Sequence, residues 1–165
     1  MLLAILSLVS LLTITVYFGC QKMVADKRED IMTAWRALDD AYQPIEDMAS
    51  DLVNNHPDET EGIQEAWQKS VQICIGPDDL VSKNLRQYQQ VKSRLLHALD
   101  DYFEHATRLE RKNEKKKQEH IKSYQQLRRA VKSYNEKVTS YNQQIVRFPL
   151  SLFNYSKKPT YPVHD

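Results

Sequence analysis

The sequence predicts an all-α, membrane-anchored protein: an N-terminal transmembrane helix followed by an antiparallel bundle of about four helices. Only 3 Gly and 6 Pro occur among 165 residues, fewer turn-forming residues than an all-β fold requires. The first twenty residues are almost continuously apolar. The rest of the chain carries apolar side chains at spacings of three and four, which is the period of an amphipathic helix.

The predicted anchor covers residues 1–21. Between Leu2 and Cys20 no side chain is charged, and the segment is about as long as a helix must be to cross a bilayer core. Two alternatives remain open. A cleaved signal peptide is less favoured because a basic region and an Ala-x-Ala-like site are missing. Gly19-Cys20 ends like a lipoprotein signal, but bulky aromatic residues precede it.

Charges beside the anchor predict its orientation. No basic side chain precedes the apolar segment, whereas Lys22, Lys27 and Arg28 follow it closely. Because the flank richer in Lys and Arg usually stays in the cytoplasm, we expect a single-pass protein whose helical domain is cytoplasmic. Two cysteines, Cys20 and Cys74, do not define a disulfide framework.

The helical domain is expected at residues 22–149, with helices at about 22–54, 60–75, 78–110 and 113–147, and a C-terminal tail at 150–165. Pro44 interrupts the first helix and predicts a kink near Asp40 or a full break. The apolar face of this helix comprises Ile31, Trp35, Leu38, Tyr42, Ile45, Met48 and Leu52. The face of the second comprises Ile63, Trp67, Val71 and Cys74.

The last two helices carry the longest apolar seams. The third helix presents Leu85, Tyr88, Val91, Leu95, Leu99, Tyr102, Ala106 and Leu109. The fourth presents Ile121, Tyr124, Leu127, Val131, Tyr134, Val138, Tyr141, Ile145 and Phe148, close to a sustained heptad. We therefore expect an antiparallel, left-handed coiled-coil hairpin. Because the second helix is short, part of this hairpin should extend beyond the first two helices.

Charge is balanced overall, at 23 basic and 22 acidic residues, so no nucleic-acid partner is expected. Its distribution is uneven: residues 37–68 contain nine acidic and no basic residues, whereas residues 108–132 contain ten basic residues. A basic turn between the last two helices is the candidate interaction surface. It comprises Arg111, Lys112, Lys115, Lys116 and Lys117. The alternative is that the basic and acidic stretches pair within the chain.

Two sequence blocks resemble the LemA family of bacterial membrane proteins. The first contains Trp35, Asp39 and Asp47; Pro44 and Ser50 depart from the family pattern there. The second is a doubled Tyr-Asn motif one heptad apart, followed by Phe-Pro. The residues that match the family motif here are Tyr134, Asn135, Tyr141, Asn142, Phe148 and Pro149. The resemblance identifies the chain as a divergent member.

The resemblance implies a single-pass protein of the bacterial inner membrane with a helical domain and no assigned chemistry. One branch of the family is implicated in magnetosome membranes. From position alone, Asn135 and Asn142 lie one residue off the apolar seam. They are expected either to fix helix register through hydrogen bonds or to face solvent.

Catalytic and metal sites are not expected. Neither cysteine has a His near it in sequence, and no Gly-rich loop or nucleophile elbow is present. His97, Asp101 and His105 share a helix face suited to a divalent metal, but the neighbouring apolar seam indicates that this face is exposed to water. The sequence thus predicts no enzyme activity and no cofactor.

The function that these features favour is a membrane-anchored helical scaffold or protein-interaction module. Its expected partners are the lipid bilayer and either another protein or a second copy of the chain. The alternative is a regulatory or sensory accessory subunit of a membrane system, which would change conformation at Pro44 or help to organise a membrane compartment such as a magnetosome.

Overall fold

The computed structural model describes residues 2–76, 80, 82–106, 112–147, 149–153 and 155–161. Its helices are α1 (Leu2–Asp40), α2 (Gln43–Asn55), α3 (Glu61–Gln72), α4 (Ser82–Ala106) and α5 (Lys112–Ile145). Single 3-10 turns occupy Pro57–Glu59 and Leu150–Phe153. No strand occurs in these ranges, so the all-α prediction is confirmed.

Helix α1 has two halves of different character. Its first half exposes large apolar side chains up to Phe18, whereas Cys20, Val24 and Ile31 in the second half are buried. By length and composition this helix is apolar enough to cross a membrane. One helix thus continues directly from a candidate membrane span into the core of the bundle.

A break separates α1 from α2. The helix ends at Asp40, and α2 begins at Gln43, with Pro44 in its first turn. Because Pro44 has no backbone N–H to donate to the carbonyl four residues earlier, the helical ladder cannot pass through it. The next donor, Ile45 N, bonds Tyr42 O at 3.0 Å and starts the new helix. The structure therefore shows the predicted interruption at residues 41 and 42, where Tyr42 keeps α-helical backbone angles (φ −80°, ψ −23°).

The helix pairing differs from the expected hairpin. Helix α5 packs most closely against α1, and α4 packs most closely against α3, whereas α4 and α5 approach each other closely at few positions. The predicted coiled-coil pairing of the last two helices was therefore wrong. The reason is visible in Trp35, whose ring lies 5.1 Å from that of Tyr88 in α4 and 5.7 Å from that of Tyr134 in α5. Large aromatic side chains of α1 separate the two helices.

The described start of α5 lies alongside α2 rather than beyond it. Helix α5 begins at Lys112, so the basic residues from that point on are helical rather than part of a turn. Lys116 Nζ lies 2.5 Å from Asp51 Oδ2 in α2, which places the start of α5 alongside the end of α2. Residues 107–111, including Arg111, lie outside the described part of the chain.

The predicted apolar faces of the helices are confirmed in part. In α5 the buried seam runs from Leu127 to Ile145 as expected, but in its first turns His120 is buried while Ile121 is exposed. In α3, Ile63 is buried and Trp67 packs against the core as expected, but Val71 is 56% exposed and Ser70 is buried instead. Ser70 Oγ donates to Glu46, and this bond turns a polar residue of α3 inward.

Candidate functional site

The doubled Tyr-Asn motif holds an extended C-terminal segment, residues 155–161, which we call the strap. In the first pair, Tyr141 Oη donates to Ser156 O at 3.2 Å. The side chain of Asn142 donates through Nδ2 to Lys158 O and accepts through Oδ1 from Lys158 N, both at 2.8 Å. One asparagine thus satisfies both backbone groups of one strap residue, as a neighbouring β-strand would.

The second pair repeats this arrangement three residues further along the strap. Tyr134 Oη donates to Pro159 O at 3.1 Å. Asn135 Nδ2 donates to Tyr161 O at 2.6 Å, and its Oδ1 accepts from Tyr161 N at 2.7 Å. In each pair, therefore, the tyrosine donates to the carbonyl of one strap residue. The asparagine binds both the N–H and the carbonyl of the strap residue two positions later. Neither expectation for the two asparagines was correct: they bind the strap.

The spacing of the motif matches an extended chain. Asn135 and Asn142 lie seven residues apart on α5, which is about 10 Å along the helix axis. Their strap partners, Tyr161 and Lys158, are three residues apart, which also spans about 10 Å when fully extended. The distance between the two asparagines on α5 thus equals the distance between their two partner residues on the strap. Because these bonds reach only backbone atoms, they would suit an extended segment of almost any sequence.

One side chain anchors the end of the strap. Tyr161 is only 3% exposed, and its Oη lies 2.7 Å from Tyr42 Oη at the break between α1 and α2. Burial raises the pKa of Tyr161 to about 12, although the hydrogen bond with Tyr42 opposes part of the rise. Burial, and then the proximity of Tyr161, raises the pKa of Tyr42 well above its usual value. Both phenols therefore remain neutral over the physiological pH range.

The two motif blocks, around Trp35 and around Tyr134, meet in space. The ring of Trp35, from the first block, packs edge-on against that of Tyr134, from the second. Its Nε1 donates to Ile75 O at 3.2 Å, which ties the chain after α3 to the same point. Asp39 accepts a hydrogen bond from Tyr88, and burial together with this bond raises the pKa of Tyr88. Residues about 100 positions apart in sequence thus form one aromatic wall.

The remaining motif residues have lesser roles. Asp47 is exposed and accepts from Gln43 Nε2 at 2.8 Å within α2. Pro149 accepts a backbone bond from Leu152 N at 3.1 Å and so helps to form the 3-10 turn. Phe148 lies outside the described residues.

A buried ion pair lies beside this wall and was not anticipated from the sequence. Lys92 Nζ is 2.5 Å from Glu46 Oε1, with only 4% of the lysine side chain exposed. The ammonium also lies 5.2 Å and 5.1 Å from the ring centres of Tyr42 and Tyr88, and it donates to Ser70 O at 3.3 Å. One cation thus links α2, α3 and α4. Lys92 sits one residue from Val91 in the expected seam, a signal too weak to indicate burial.

An apolar cleft of about 780 Å³ runs along α5 beside the strap and continues past Tyr161. Leu96 of α4 and Tyr124, Leu127 and Val131 of α5 form its apolar wall. The periodic seam indicated these residues as core. Leu96, Leu127 and Val131 are buried, as that pattern predicted, and they also line the cleft.

The rim of this cleft is basic. Arg128, Arg129 and Lys132 line it and are exposed. Glu136, the acidic residue among the described lining, lies 4.0 Å from Lys132. The cleft therefore combines an apolar floor with an excess of positive charge at its edge.

The predicted basic turn is only partly free of internal pairing. Lys116 pairs with Asp51 in the acidic stretch, and the hydrogen bond from Lys116 holds the pKa of Asp51 below its usual value. Lys115 is 84% exposed and lies 3.8 Å from Glu119. Lys117 has an interaction within the protein. The side chain of Lys112 and the whole of Arg111 lie outside the described residues.

Metal ligation has no support in the part of the chain that the structure describes, where no cluster of three or more His, Cys, Asp or Glu side chains could hold an ion. His97 and Asp101 are exposed, as the apolar seam indicated. The side chain of His105 is outside the described set. His120 is buried instead, with Nε2 2.8 Å from Asp100 Oδ1 and its ring stacked on Phe103.

Comparisons with known proteins provide no relative. No family model, no curated protein and no solved structure matches the chain.

Proposed function

We propose that this chain is a membrane-anchored helical interaction module of the LemA type. The proposal places it as a single-pass protein of the bacterial inner membrane, with the bundle in the cytoplasm. Support for the anchor comes from α1, which exposes its large apolar side chains as far as Phe18, whereas Cys20, Val24 and Ile31 further along the helix are buried. Support for the family relationship comes from the two motif blocks, which pack against each other through Trp35 and Tyr134.

The observation that carries the interaction role is the binding of the strap. Asn135 and Asn142 bind an extended segment through its backbone, in the manner by which many domains recognise peptides. The cleft continues from this segment with an apolar floor that includes Leu127 and Val131. A surface that already binds one extended chain, and that remains concave beyond it, is suited to bind another.

The occupant that the cleft fits is an extended, acidic segment of a partner protein. Apolar side chains of such a segment would pack on Leu127 and Val131. Its carboxylates would lie near Arg128, Arg129 and Lys132 at the rim. Rim charges of this kind contribute mainly to the rate and specificity of association, so binding should weaken as salt is added.

The alternative of a regulatory subunit that switches at Pro44 is less favoured. Such a switch needs a break that can move freely. Tyr42 at this break is 2% exposed, bonds Tyr161, and packs against Tyr88 with ring centres 5.9 Å apart. Any movement there would have to disrupt the core and release the strap, which favours a scaffold over a hinge.

Site-specific photo-crosslinking in the native membrane tests this proposal. A benzophenone amino acid placed at Thr139, which lines the cleft and is exposed, should crosslink to an acidic segment of one partner protein. The same amino acid at Ser133, exposed on α5 but outside the described cleft lining, is the matched control. Arg128→Glu with Arg129→Glu should abolish the crosslink, whereas Lys115→Glu in the basic turn should leave it unchanged.

Two results would overturn the proposal. One is a crosslink from Thr139 that maps only to residues 162–165 of the same chain, because the cleft would then serve internal packing. The other is a yield at Thr139 no higher than at Ser133. If Lys115→Glu lost the crosslink while the double arginine variant kept it, the interaction surface would be the basic turn rather than the cleft.

A further inference from the structure

The anchor joins the bundle without a spacer. Phe18 is 66% exposed, whereas Cys20 is 4% exposed and Val24 is 3% exposed, so burial begins two residues after the last exposed aromatic side chain. Since α1 is one continuous helix from Leu2 to Asp40, the bundle begins where the candidate membrane span ends. In a chain that is anchored through this span, the end of the bundle nearest Cys20 lies at the bilayer surface.

The chain after α5 returns to this same level. The ring of Phe153 lies 5.5 Å from that of Tyr17, and Leu150 beside it is buried. Tyr17 precedes Cys20 by three residues, which is about 4.5 Å towards the anchor along the helix axis. The 3-10 turn Leu150–Phe153 thus lies beside the end of the exposed apolar segment, at the depth where aromatic side chains of membrane proteins concentrate.

Apolar side chains at this end of the bundle are exposed. Leu152 is 69% exposed and Val146 is 55% exposed. Elsewhere outside α1, the described chain exposes only two other large apolar side chains, Val71 and Ile121. Exposure of this kind is ordinary for single residues. Here, however, Leu152 directly precedes Phe153 in sequence, and Val146 directly follows the end of α5, from which the chain leads to the 3-10 turn.

Charges around this end are mixed. Arg147 and Lys157 are exposed, and the guanidinium of Arg28 lies 5.8 Å from the ring centre of Tyr155. Exposed Asp26 and Glu29 on α1 offset part of this positive charge. Apolar contact rather than charge is therefore the main term in any interaction with a membrane surface here.

We propose that Val146, Leu152 and Phe153 form a membrane seat, a second contact by which the bundle rests on the lipid bilayer. The side chains of Val146 and Leu152 enter the boundary between headgroups and acyl chains, and Phe153 joins them to Tyr17 of the anchor. The bundle is thereby held upright at a fixed distance from the membrane. This inference rests on the proposed membrane anchor and adds the surface through which the bundle itself contacts lipid.

Depth-dependent fluorescence quenching tests the seat. The full chain, with Cys74→Ser to remove the exposed native thiol, is reconstituted in vesicles of phosphatidylcholine and phosphatidylglycerol. An environment-sensitive dye is attached at Leu152→Cys. The matched control carries the dye at Val71→Cys, an exposed apolar position on α3 away from the seat. We expect spin-labelled lipid to quench the dye at position 152 severalfold more than at 71, and aqueous iodide to show the reverse.

Retention of the protein on vesicles after alkaline carbonate treatment is measured in the same samples. If the chain is retained but iodide quenches both positions equally, the seat is wrong and the anchor stands. If carbonate releases the chain, the anchor fails and the seat fails with it. A further variant, Leu152→Asp, should lower lipid quenching of a dye at Val146→Cys while leaving carbonate retention unchanged. Unaltered quenching in that variant would also overturn the seat.

Discussion

Replacing Asn142 by alanine removes both hydrogen bonds that it makes to the backbone of Lys158. A hydrogen bond of this type contributes about 1 kcal/mol net. The free energy for opening the strap should therefore fall by about 2 kcal/mol, which raises the open population roughly 30-fold. Tyr161 keeps its own contacts with Tyr42 and Asn135, so the rest of the bundle should remain folded.

Limited proteolysis with trypsin measures this opening. Trypsin can cleave the peptide bond between Lys157 and Lys158. In the closed strap the N–H of this bond, which belongs to Lys158, donates to Asn142 Oδ1. When opening and closing are fast relative to cleavage, the cleavage rate follows the open population. Cleavage after Lys157 should thus accelerate roughly 30-fold in Asn142→Ala. Cleavage after Lys69 in α3 reports opening of the whole bundle and should change far less.

The matched control is Asn54→Ala, which makes the same chemical change at an exposed position of α2. It should leave cleavage after Lys157 at the wild-type rate. If Asn142→Ala is also cleaved at that rate, the doubled motif does not hold the strap in solution. If cleavage after Lys69 accelerates as much as cleavage after Lys157, the asparagine stabilises the bundle as a whole rather than the strap.

Three further predictions concern the core, pH and topology. Val138→Ala should lower the free energy of unfolding by about 1 to 3 kcal/mol because Val138 is fully buried, whereas Glu136→Ala on the exposed face should melt like the wild type. Burial raises the pKa of both Tyr134 and Tyr161 to about 12. Their contribution to stability should be complete below about pH 10, the unfolded value, and be lost as pH rises from there to about 12, which a spectroscopic tyrosine titration combined with thermal melting would show. Cys74 is exposed and should escape a membrane-impermeant thiol reagent in intact cells but react after permeabilisation; labelling in intact cells would reverse the proposed orientation.

Local features of the fold could be predicted because they depend on neighbouring residues. The apolar run of α1, the effect of Pro44, and the seam from Leu127 to Ile145 each follow from composition or period within one segment. Helix pairing could not be predicted in the same way. A regular heptad in α5 fits several partners, and the choice of α1 depends on the bulk of Trp35, which only contacts across the bundle reveal.

The candidate site was only half visible in the sequence. The doubled Tyr-Asn motif was an evident signal, but its partner was not, because backbone groups of the strap carry no sequence signature. The buried position of Lys92 was hidden for a different reason. A lysine next to an apolar seam is normally exposed, and here Glu46 together with two aromatic rings offsets the cost of burying its charge.

The membrane seat and the cleft together would fix the height at which a partner binds. Val131, the residue of the apolar cleft wall that is nearest to the end of α5, precedes Ile145 by fourteen residues, which places this apolar wall about 20 Å above the seat. An extended segment covers that distance with about six residues. A partner segment tethered to the same bilayer by a linker of that length or longer should bind far more tightly than the same peptide free in solution, because tethering raises its effective concentration. Linkers of two or three residues should abolish this gain, since they cannot reach the apolar wall of the cleft. An equal gain for short and long linkers would show that the bundle does not stand upright on the membrane.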